Sequence, residues 1–105
     1  MALEKSKFDI KRLVEEDNAK RIVHSDILGD IEYCPLNTEE LIRMSKIEDA
    51  EEQGKFGVFT MLHKADPRIT MEDLTLLSPE HFRELLQTLA KGADFRVEKL
   101  DEPSP

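Results

Sequence analysis

A mainly α-helical domain is what this sequence of 105 residues predicts: a compact bundle of about four short helices with a small N-terminal β-hairpin, α+β being the neighbouring class. Three observations carry the expectation. Helix-start signals recur at Asn37-Thr38-Glu39-Glu40, Thr70-Met71-Glu72-Asp73 and Ser78-Pro79-Glu80, each a capping side chain followed by acid in the first turn. Behind the last of these, Phe82, Leu85, Leu86 and Leu89 fall at i, i+3, i+4 and i+7, the spacing of one buried helical stripe. Between Arg21 and Leu36 the helical period gives way to the β-formers Ile22, Val23, Ile27, Leu28, Ile31 and Tyr33, grouped around Gly29-Asp30.

Taken in order, residues 1–19 form an N-terminal arm. Its apolar set is short, Phe8, Ile10, Leu13 and Val14, with Ser6 and Asp9 available as weak caps, so it reads as a short amphipathic helix or a loose leader. Residues 20–95 form the single hairpin-plus-helical domain. In the hairpin, Gly29 supplies the positive φ that a type II′ turn needs at its first central position, and Ile31-Glu32-Tyr33 alternates in and out. A two-stranded ribbon is marginal alone and must lay one face on helices.

Pro35 ends the ribbon and Asn37 caps the next helix, with Glu40 placed to reach back to it. Leu41, Met44, Ile47 and Ala50 carry that helix forward, and Gly54 is the expected stop. Phe56 to Ala65 holds apolar side chains on more than one face, as in a central helix or one that keeps a face for a partner. Asp66-Pro67 breaks it. Two capped helices follow, the second closed by Gly92. Residues 96–105, ending Asp-Glu-Pro-Ser-Pro, read as a disordered tail.

Charge and composition exclude several functions. A net charge of -8 and a pI near 4.9 oppose a phosphate backbone, whose affinity comes from cations that release counterions. The helix pair from Thr70 to Ala90 could pass for a helix-turn-helix, but Arg83 stands between Glu80 and Glu84, a poor cation supply for a major groove. With one cysteine, Cys34, there is no intrachain disulfide, so a reducing, cytoplasmic setting is the expectation. No apolar run approaches the roughly 18 residues of a membrane span, and Met-Ala-Leu-Glu-Lys lacks a signal peptide's apolar core.

The search for chemistry returns little. Cys34 and His24 would face one another only across the hairpin, outside any nucleophile signature, and a free cysteine usually behaves as a small hydrophobe. His24, His63 and His81 have no partner at metal-ligand spacing. Asp66 to Leu77 imitates the start of a calcium loop, but Arg68, Met71 and Leu77 stand where that loop needs an oxygen ligand, a glycine and a glutamate. Glu48, Asp49, Glu51 and Glu52 read as a solvated face. The four glycines make no phosphate loop. The sequence therefore predicts no catalytic residue, cofactor or metal, and no enzyme. What remains is packing surface: Phe56, Phe59, Met61 and Leu62 are the candidate partner-binding residues, aromatic and methionine side chains being enriched at interfaces.

The order of segments, ILGDIEY leading to PLNTEEL, then FTMLHKADP, ITMEDLTLL and SPEHFRELLQTL, resembles the tail assembly chaperones of long-tailed phages, prophages and related archaeal viruses over roughly residues 20–92. The resemblance rests on arrangement. It implies a small protein of the host cytoplasm that coats the tape measure protein while tail-tube subunits assemble, with the tail-tube protein as a second partner and weak self-association. It brings no catalytic residues. A helical adaptor or regulatory subunit of the cell, holding one peptide helix in a groove, is the alternative.

Overall fold

A computed structural model describes residues 7–92. Within them, five helices and one antiparallel hairpin follow the chain as α1 (Ile10–Asp17), β1 (Arg21–Ser25), β2 (Gly29–Tyr33), α2 (Thr38–Ser45), α3 (Ala50–Ala65), α4 (Met71–Leu76) and α5 (Pro79–Gly92). The mainly helical class with an N-terminal hairpin is as the sequence predicts. Ser6 and the tail 96–105 lie outside the described residues.

α1 starts where Asp9 accepts the Arg12 amide at 3.3 Å, and it stops at Asn18, whose side-chain amide donates to the Val14 carbonyl at 2.7 Å. None of its residues is buried. It is an amphipathic helix standing on the fold rather than in it.

The hairpin pairs Arg21 with Tyr33, Val23 with Ile31 and Ser25 with Gly29, which corrects the expected turn. The chain reverses through Asp26-Ile27-Leu28. Gly29, at φ 91°, is the first residue of β2. The reason is Ser25: its buried hydroxyl accepts from the amides of Ile27 (3.2 Å) and Leu28 (3.0 Å), a local side-chain turn that a reading centred on glycine overlooks. Alternation then holds in both strands. Val23, Ser25, Ile31 and Tyr33 face the helices, whereas Ile22, His24, Asp30 and Glu32 face out.

The capping box on α2 forms as predicted. Glu40 donates its amide to Asn37 Oδ1 at 2.8 Å, and Asn37 donates its own to Glu40 Oε1 at 2.9 Å. The expected end of this helix does not form. α2 closes at Ser45, and a new helix begins at Asp49, whose carboxylate accepts the Glu51 amide at 3.2 Å. Glu51 and Glu52, in the first turn, face the positive end of the α3 macrodipole. Gln53 makes the break permanent by donating one amide group to the Met44 and Ile47 carbonyls, at 3.1 and 3.2 Å. Gly54 therefore lies inside α3, not after α2.

α3 is the central element, burying Gly57, Val58, Met61, Leu62 and Ala65. The Cys34 amide donates to the Met61 carbonyl at 3.0 Å, which ties the end of β2 to α3. Thr70 and Asp73 complete the predicted box on α4, and Ser78 Oγ accepts the His81 amide to start α5. The core is one cluster: Ile31 and Tyr33 from the hairpin, Val58, Met61 and Leu62 from α3, Leu74 from α4, Leu85 and Leu89 from α5. Each such side chain contributes about 1.5–3 kcal/mol by leaving water.

Candidate functional site

Three elements meet around an open cleft of about 470 Å³. The first turns of α3 supply one wall, and Gly54 lets Leu86 of α5 come close to it: a Cβ there would lie 3.7 Å from Leu86 Cδ2, in ordinary contact. Leu74 and Leu77, at and just beyond α4, form the end of the floor, and Phe82 and Leu86 of α5 form the opposite wall. Ser78-Pro79 determines this arrangement, because starting α5 directly after Leu77 sets Phe82 and Leu86 beside the α4 leucines. The rim is charged and mixed, with Glu51 and Lys55 on α3 and Arg83 on α5. An apolar floor with charges at the edge suits an amphipathic helix laid along it.

The predicted partner-binding residues are placed differently. Met61 and Leu62 are 1% and 6% exposed, so in this conformation they serve the core and offer nothing to a partner. Phe56 and Phe59 are half-buried. Phe59 packs on the core and stacks on His63, ring centroids 4.8 Å apart. None of the four lines the cleft. The residues that do line it were visible as a helical stripe, Phe82 and Leu86, but their sharing an edge with Leu74, Leu77 and Gly54 depends on how three helices pack.

A second cleft, about 590 Å³, separates α1 from the start of α2, with Ile10, Leu13 and Val14 facing Leu36 and Leu41. The hairpin and α5 share a polar seam in which Ser25 donates to Glu84 Oε2 at 2.8 Å and Thr88 to the same oxygen at 3.3 Å.

Groups able to do chemistry are dispersed. Cys34 is buried just past the end of β2. His24 lies on the exposed face, near the turn; one ladder step of about 3.3 Å for each residue between His24 and Lys20, which would lie opposite Cys34, keeps the two well apart. His24 instead sits between Asp30 (Nδ1 to Oδ1, 2.9 Å) and Asp26 (Nε2 to Oδ1, 3.4 Å). The hydrogen bond to Asp30 raises its pKa above the ordinary value near 6.5, opposed by desolvation and aided by the charges of both carboxylates. His63 Nδ1 lies 2.8 Å from the Ile69 carbonyl; a carbonyl only accepts, so this nitrogen carries the proton. Lys64 is held by the Pro35 carbonyl and Glu40, both at 2.8 Å, and serves the β2–α2 corner. Among the described residues, no three of His, Cys, Asp and Glu gather as a metal set, every buried side-chain N or O has a partner, and no helix is long and apolar enough to cross a membrane.

In comparisons with protein-family models, curated proteins and solved structures, the chain matches none.

Proposed function

We propose that this chain is a non-enzymatic helix-binding protein: a tail assembly chaperone that holds the tape measure protein of a long-tailed phage, prophage or related archaeal virus while the tail tube assembles around it. The observation that carries the binding reading is the apolar cleft between α3, α4 and α5, with its mixed-charge rim. A client helix would lay apolar residues on Leu77, Phe82 and Leu86, over the buried Leu74, and the rim charges would select its flanks. The tail-assembly reading is supported by the resemblance in segment order alone. It makes the client a long, largely helical protein, which needs many such grips rather than one tight one.

The test is co-expression with the tape measure protein of the same genome. The intact chain is expected to keep that protein soluble and to co-purify with it. Gly54→Leu, which adds a side chain to the α3 wall of the cleft beside Leu86, should abolish capture while the circular dichroism spectrum stays helical. Failure of the intact chain to capture the tape measure protein would overturn the tail-assembly reading. Binding of isolated amphipathic helices in that same case would favour the cellular adaptor.

A further inference from the structure

The cleft has a direction. Its two long walls, α3 and α5, start from one contact, Gly54 beside Leu86. α3 then passes to Met61, whose carbonyl accepts from Cys34, as α5 passes to Gly92, whose carbonyl accepts from the adjacent Tyr33. Both helices therefore run the same way, and their starts at Ala50 and Pro79 bring two positive macrodipole ends to one end of the cleft. Counting back about one turn from the Gly54–Leu86 contact sets Glu51 and Arg83 level on opposite rims. Lys55 stands about a turn further along the α3 rim than Glu51.

These three charges are weakly answered within the chain. Lys55 reaches Glu52 only at 3.9 Å, Arg83 makes no ion pair among the described residues, and Glu51 has the start of its own helix. A helix seated on Leu77, Phe82 and Leu86 meets a cation and an anion one turn apart along α3, with a second cation across from the anion. Its direction decides which order of charge it needs. Running against α3 and α5, it lays its negative carbonyl end over their two positive starts. It then needs an acid first, for Lys55, and a base four residues later, for Glu51. That order also stabilises the helix before it binds, which lowers the cost of ordering it. The parallel seating loses both advantages. The exposed acids Glu48 and Asp49 stand at the Glu51 end and draw the base toward it.

We therefore propose that the client segment is an amphipathic helix of fixed polarity. It enters antiparallel to α3 and α5, with a glutamate facing Lys55, a lysine four residues later facing Glu51, and an acid on its other flank facing Arg83. This rests on the helix-binding reading of the cleft and adds direction and sign to it. Reversing a helix on its apolar stripe also exchanges its flanks, so a client with the opposite charge order cannot recover the pairs by turning round. Helices of equal hydrophobicity are thus sorted by the order of their charges.

Calorimetric titration of the full chain with two synthetic peptides is the test. Each is about 16 residues long, enough to hold a helix, with the same leucine stripe; one carries the acid-before-base pair on the flank facing α3, the other the same pair exchanged. The first should bind about fivefold tighter or more at low salt, the margin shrinking as salt screens the rim. Glu51→Lys with Lys55→Glu should reverse the preference, which a difference in the peptides' own helicity cannot do. On the wild-type chain, a nitroxide at the C-terminus of the first peptide should broaden the Ala50 and Glu51 amides most, and one at its N-terminus those of Lys55 and Leu86. Equal affinities, a preference that the double variant keeps, or labels that broaden the opposite ends overturn the polarity and leave the cleft a helix site. Binding of neither peptide overturns the helix-binding reading and the polarity with it. The labels decide the direction even where the double variant does not fold.

Discussion

His24 shows how much a single exposed side chain can report. Both ring nitrogens face carboxylates, so the imidazolium is favoured and the folded pKa lies above the unfolded one, chiefly through the hydrogen bond to Asp30. The sign follows: the contribution of this contact is fully present below the ordinary histidine pKa near 6.5 and is lost as pH rises through the raised value. An NMR titration should find His24 titrating at higher pH than it does in Asp30→Asn, and the amides around the turn should loosen on the alkaline side. Identical titrations in the two proteins would mean that the pair does not persist in water. The glycines divide as sharply. Gly54→Ala puts a methyl group in ordinary contact with Leu86 and should raise stability by about 0.5–1 kcal/mol through helix propensity. Gly92→Ala would bring a Cβ to 2.8 Å from Val23 Cγ2 and should cost about 1–3 kcal/mol by forcing α5 off the hairpin. Thermal unfolding of the two variants should move in opposite directions. Neither outcome was legible in the sequence, where both glycines looked like helix stops; what separates them is a neighbour far along the chain.

At the scale of elements, the caps were legible because capping is local chemistry. Asn37 with Glu40, and Thr70 with Asp73, each need only three residues of context, and both boxes form. Asn37→Ala should cost about 1 kcal/mol, read as a lower denaturation midpoint at unchanged slope. The division between α2 and α3 was not legible, because Asp49 caps from inside a run of acids that reads as mere surface, and because the Gln53 bonds that close α2 reach back six and nine residues. The stripe on α5 was half read. Periodicity groups Leu85, Leu86 and Leu89 as equals, but packing buries Leu85 and Leu89 and turns Leu86 toward the cleft. Leu89→Ala should accordingly cost about 2–5 kcal/mol, and Leu86→Ala less, since part of that side chain already meets water. Phe59→Ser belongs with the core changes: its ring rests on His63 and the central cluster, so lower stability, not a selective loss of binding, is its expected signature.

For the whole molecule, the fold class could be read from pattern, but the candidate site could not, because the cleft belongs to no segment. Phe56, Phe59, Met61 and Leu62 stood out by composition, and the central position of α3 explains why they do not line it: a helix touched by the hairpin and by α2, α4 and α5 turns most of its apolar circumference inward. Only its first turns, where Ala50 and Gly54 are small, are left to face a trough. One contact joins the hairpin to the end of α5. Tyr33, 2% exposed, donates its hydroxyl to the Gly92 carbonyl at 3.0 Å across 59 residues, and it is the sole tyrosine of a chain without tryptophan. Its ultraviolet emission is therefore a built-in optical gauge of a single place, the seam between the hairpin and the end of α5. Fraying of α1 should leave that emission unchanged, and only opening of the seam should alter it, so the molecule needs no added label to tell rearrangement from unfolding.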